Sequence, residues 1–130
     1  MGFVLEFDAK NNILCGTLEG RVTDAILLDS YAAAARYATS HPPCRGLWDC
    51  SAVTESEVSS DTIRQVAEKP PIIPIGYMRV IVASQDYLFG MMRMFQILSE
   101  TSRPDLYVVR TMDEADRLLL VDSPEFKPVS

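Results

Sequence analysis

Apolar and polar residues alternate weakly from Phe3 to Phe7 and again from Ile13 to Leu18, with the polar cluster Lys10-Asn11-Asn12 between them. That pattern predicts an N-terminal β-hairpin. After Thr23 the period changes: Leu27, Tyr31, Ala34, Ala35 and Ala38 recur on one face of a helix, with Asp29 and Arg36 on the other. The small alanines predict that this helix lies close to a sheet. Pro42-Pro43 ends it, and Gly46-Leu47-Trp48-Asp49-Cys50 reads as a short buried strand. Ser59 or Ser60 caps a helix running to about Glu68, with Asp61 in its first turn and Pro70-Pro71 beyond its end.

The second half of the chain repeats the alternation. Met78 to Ala83 is β-branched and nearly continuous, as an interior strand requires. Ser84 is the expected cap of a helix from Asp86 to about Glu100, and Leu106 to Val109 is the last expected strand. Thr111-Met112-Asp113-Glu114 has capping-box spacing and opens a helix that carries Ala115, Leu118 and Leu119 inward. Residues 122–130, with two prolines and no period, read as a flexible tail behind a single domain spanning 1–121. The resulting order, ββαβαβαβα, predicts an α/β fold: a mixed, mostly parallel five-stranded sheet with about four helices, the hairpin supplying an antiparallel strand at one edge.

Composition narrows the function. A length of 130 residues with 48% hydrophobic and 23% charged residues fits one globular domain with one core. The 12 basic and 18 acidic residues leave a net charge of −6 with no basic cluster, which argues against a nucleic-acid partner. Cys15, Cys44 and Cys50 are an odd number without CxxC spacing, and no secretory leader precedes the first strand, so a reducing, cytoplasmic setting is expected. Arg79, Asp86 and Arg93 interrupt the most apolar third of the chain, so no stretch approaches the ~20 apolar residues of a membrane span.

Catalytic chemistry finds little to work with. His41 is the single histidine and stands beside Pro42-Pro43 in an expected loop, so neither a metal set nor a Ser-His or Cys-His pair is apparent. Gly16, Gly20 and Gly46 do not form a phosphate-binding fingerprint. Cys15 and Cys50 are expected as small buried hydrophobes, with Cys44 more exposed. Asp49, Glu55 and Glu57 lack a fixed cation-ligand spacing and read as solvated carboxylates. No enzyme, cofactor or metal is therefore expected.

The run Leu47-Trp48-Asp49-Cys50-Ser51-Ala52-Val53-Thr54 resembles the strand-and-turn segment of STAS domains of the anti-sigma-factor-antagonist type. Gly20-Arg21-Val22-Thr23, Phe89-Gly90 ahead of Arg93-Met94-Phe95, and Asp113-Glu114-Ala115 more specifically resemble the SpoIIAA-like bacterial family, over roughly Phe3 to Val121. The resemblance implies a STAS-like fold and no enzyme; members of that family have been suggested to bind nonpolar ligands or to associate with membranes. It also implies a second reading, a phosphorylation-controlled switch for a regulatory protein partner, with Ser59 as phosphoacceptor. The antagonists carry Asp-Ser-Ser-Gly where this chain has Glu57-Val58-Ser59-Ser60, and Glu55, Glu57 and Asp61 would repel a phosphate.

The first reading, a non-enzymatic binding module, draws on the segment 86–100. A helix covering one sheet face needs an apolar stripe of about 100°, yet Met91, Met94 and Leu98 form one apolar flank while Leu88, Met92 and Phe95 form another. With the second flank on the sheet, Tyr87, Met91, Met94 and Leu98 are the candidate surface for a homodimer contact, a lipid-like ligand or a peripheral membrane contact.

Overall fold

The computed structural model describes residues 2–129, so Met1 and Ser130, the outer ends of the two expected segments, lie outside the described residues. The chain runs β1 (Phe3–Asp8), β2 (Ile13–Thr23), α1 (Asp24–Thr39), β3 (Arg45–Glu57), α2 (Ser60–Glu68), β4 (Arg79–Val82), α3 (Asp86–Leu98), β5 (Leu106–Val109), α4 (Met112–Leu119) and β6 (Lys127–Pro128). These strands form one α/β sheet in the order β5-β4-β3-β2-β1-β6. β2 through β5 pair in parallel, and β1 is antiparallel to both β2 and β6.

Two expectations about the strands need correction. The sheet has six strands where five were expected, because Lys127–Pro128 pairs with Glu6 and Phe7 at the β1 edge. Two residues carry no readable period, and an edge strand tolerates Pro128, so this pairing left no signal in the pattern. The strand expected at Gly46–Cys50 runs from Arg45 to Glu57, and its outer half pairs only with β2. That half is largely exposed, and only Val53 in it points into the core.

The sheet is covered unequally. Leu18, Cys50, Ile81 and Leu106 face a large core made with Ile63 and Val66 of α2 and Leu88, Met92 and Phe95 of α3, and α1 contributes Ile26, Leu27 and Tyr31. On the opposite face, Ile13, Leu47, Val80 and Val82 pack against Ala115 and Leu119 of α4. Side chains alternate across a strand, so β4 sends Val80 and Val82 to α4 and sends Arg79 and Ile81 beneath the three-helix layer. Two caps match expectation: the Ser59 hydroxyl accepts from Thr62 N at 3.2 Å, and Thr111 and Glu114 form the capping box. Ser84 does not cap α3. Gln85 holds that position without a capping bond, its side-chain amide donating instead to the Thr54 carbonyl at 2.8 Å, while the Ser84 hydroxyl donates to the Ser51 carbonyl at 3.0 Å.

Candidate functional site

A cavity of about 90 Å³ lies between the sheet and the three-helix layer. Its floor is Trp48 and Cys50 of β3, Ile81 of β4 and Leu106 of β5. Leu27 and Tyr31 of α1, Ile63 and Val66 of α2, and Met92 and Phe95 of α3 wall it. β-branched and aromatic side chains on the strands and helical side chains spaced three or four apart leave this space because α1 and α2 approach each other only sparsely. Cys50 contributes an inert wall atom, since burial, with smaller repulsion from Asp49 and Cys15, pushes its thiol up to about 12. The Ser30 hydroxyl is spent on the Leu27 carbonyl at 2.8 Å. Tyr31 and Ile72 also line an open groove beside Lys69, Pro70 and Pro71, and the Tyr31 hydroxyl donates to the Pro70 carbonyl at 2.5 Å. The cavity and the groove thus share two lining residues where α1 meets the segment after α2.

Two arginines reach the apolar wall. Arg103, 3% exposed, is engaged at both terminal nitrogens: its Nη2 donates to the Val66 and Lys69 carbonyls and its Nη1 to the Ala67 carbonyl and the Ser99 hydroxyl. It thereby closes the free carbonyl end of α2 and places its charge at the negative end of the helix dipole, over the Phe95 ring at 4.9 Å. Arg79 is different. It is 7% exposed, its Nε has no hydrogen-bond partner, and among the described residues it forms no ion pair. Burial, reinforced by the like charge of Arg103, pushes its pKa down to about 10, against an attraction from Asp105. The Asp105 carboxylate is meanwhile held by the Gly76 N–H at 2.8 Å. At neutral pH the cavity wall thus includes a protonated guanidinium whose buried Nε–H is unsatisfied.

The residues singled out from the sequence fall elsewhere. In α3, Leu88, Met92 and Phe95 are buried, as expected for the sheet-facing flank. The other flank is divided: Met91 and Met94 pack half-buried against the main core, while Tyr87 and Leu98 are 53% and 48% exposed. Even Tyr87 is tethered, its hydroxyl donating to the Val58 carbonyl at 2.8 Å. Ser59 serves as the α2 cap and also ties α2 to α1, because its N–H and hydroxyl donate to the two Asp24 oxygens at 2.7 and 2.9 Å. A phosphate on Ser59 would face that carboxylate directly. His41 stacks on Tyr37 at the end of α1, with ring centroids 3.8 Å apart. Cys44, expected to be more exposed, is 4% exposed, because Leu14, Ala34 and Ile73 close around it.

Among the described residues there is no cluster of three or more potential metal ligands, and no helix is long and apolar enough to cross a membrane. Glu57, weighed as a cation ligand, instead accepts both Nε and Nη2 of Arg21. Sequence reasoning used Arg79 only as an interruption of an apolar stretch. The signal that could have found it was a fixed cation inside a run, Met78 to Ala83, that must be an interior strand. Compared with protein-family models, with curated proteins and with solved structures, the chain matches none.

Proposed function

We propose that this protein is a non-enzymatic binding module whose site is the cavity under α1, α2 and α3, and that it holds the apolar part of a small molecule there. The observation that carries the reading is the cavity itself: the surface it exposes is almost wholly apolar, and Tyr31 and Ile72 line both it and the neighbouring groove. Protein interiors are close-packed, so a space of this size beneath three helices is a departure that a ligand would fill. The likeness to the SpoIIAA-like family supports the same reading, since nonpolar ligands have been suggested for its members. This reading takes the inner flank of α3, where Met92 and Phe95 line the space, in place of the outer flank, where Met91 and Met94 pack on the core.

The test is uptake of a neutral probe. Isoamyl alcohol titrated into the protein should shift backbone amide resonances of Leu27, Ile63, Met92 and Leu106 and raise the melting temperature by mass action. Ser30→Leu, which fills the space from α1, should abolish both effects in a folded protein. Shifts confined to Tyr87 and Leu98 would move the site back to the outer flank of α3, and no shifts would end the reading.

A further inference from the structure

We infer that the molecule held in this cavity is a monoanion, a carboxylate on a short apolar tail, and that Arg79 is the residue that binds its head. The inference rests on the cavity being a ligand site and adds to it the charge and the chemical class.

A guanidinium that is nine-tenths buried carries a desolvation cost unless something compensates it. Arg103 shows what compensation looks like in this protein, since five polar groups close around its two terminal nitrogens. Arg79 stands in the same cavity wall with no such partner, and Arg103 repels it. Asp105, the acid whose charge acts on it, makes no ion pair with it and is engaged with Gly76. A bound anion would neutralise that charge and offer acceptors to the guanidinium. Guanidinium presents parallel donors that match the two oxygens of a carboxylate. A dianionic phosphate would leave one negative charge uncompensated in an apolar space, because Arg103 is committed to the α2 carbonyls.

Size limits the tail. An apolar cavity of ~150 Å³ takes up benzene, so one of about 90 Å³ has space for roughly four carbon atoms. Butyrate, with four carbons, fits that description, and isovalerate, with five, or a longer chain would have to extend past Tyr31 and Ile72 into the neighbouring groove, towards Lys69.

The experiment compares isovalerate, isoamyl alcohol and isoamyl phosphate at neutral pH, following backbone amides and the Arg79 Nε–H resonance by NMR. Isovalerate should bind at least about tenfold more tightly than the alcohol, as a charge-assisted hydrogen bond allows, and should move the Arg79 Nε–H signal, while the phosphate should bind more weakly than the carboxylate. In Arg79→Met the carboxylate preference should disappear with alcohol affinity retained. That variant removes an unpaired buried charge and should melt no lower than the parent, so a loss of binding would not reflect unfolding. Equal affinity for alcohol and carboxylate would overturn the charge assignment and leave the apolar site standing. Carboxylate binding that survives Arg79→Met would place the anion elsewhere and also overturn it, and tighter phosphate binding would overturn the monoanion. If no probe perturbs the cavity, both the site and its ligand class fail.

Discussion

Charged and polar side chains in this protein are stabilised or left costly by what surrounds them, and Asp8 and Arg79 mark the two extremes. Asp8 is fully buried, and burial alone would push its pKa up. Hydrogen bonds from the Asn11 side chain at 2.6 Å and the Asn11 N–H at 3.1 Å, with a longer one from the Glu125 N–H, outweigh that effect and hold it below the ordinary 3.8. A carboxyl with a depressed folded pKa contributes stability above its unfolded value and loses it as pH falls through the folded one. Stability measured by denaturant titration should therefore decline below about pH 3.8, and the gap between the parent and Asp8→Asn should narrow over the same range. A gap that stays constant down to acid pH would show that Asp8 acts only through shape. Arg79 has the opposite balance: desolvation, reinforced by Arg103, outweighs the attraction of Asp105 and holds its pKa down at about 10.

Helix ends and helix interiors carry separable contributions. Ser59 caps α2 by accepting from Thr62 N and by donating to Asp24, whereas Ser60 makes no such bond. Ser59→Ala should accordingly cost about 0.5–2 kcal/mol and Ser60→Ala clearly less; equal effects in chemical denaturation would remove the cap from Ser59. In α3, Gly90 sits mid-helix, and a methyl group there would meet nothing within 4 Å. Glycine loses more backbone freedom than alanine on folding, so Gly90→Ala should raise stability by about 0.5–1 kcal/mol. A lower melting temperature would mean that the position needs space not apparent from its neighbours. The excess of apolar residues in α3 has a physical explanation at this scale: the helix is packed on more than one side, with Leu88, Met92 and Phe95 on the core and Met91, Met94 and Phe89 filling in around them, and Arg110 lies over the Phe89 ring at 4.7 Å.

At the scale of the whole molecule, the two faces of the sheet divide the work: α4 closes one face, and the three helices on the other leave a cavity between them. The last residues belong to this architecture, because Phe126 packs on the α4 face, β6 extends the sheet beside β1, and Val129 N–H donates to the Leu5 carbonyl at 3.1 Å. Deleting residues 122–130 should cost about 1–3 kcal/mol, read as a shifted denaturation midpoint; no shift would mean that these contacts are marginal. Local chemistry was enough to determine the elements that depend on it. The hairpin, the alternation of helices and strands, the Thr111 capping box, the Ser59 cap and the inward flank of α3 follow from side-chain period and from which residues can satisfy free backbone N–H groups. Those signals extend over a few residues and are strong. The sixth strand, the outer half of β3 and the cavity had no such signal, because each exists only when segments distant in sequence meet. Arg79 shows the limit most clearly: its place in an apolar strand was legible, but that its guanidinium would be buried beside Arg103, without a partner and facing an apolar space, was decided by the packing of three helices over the sheet.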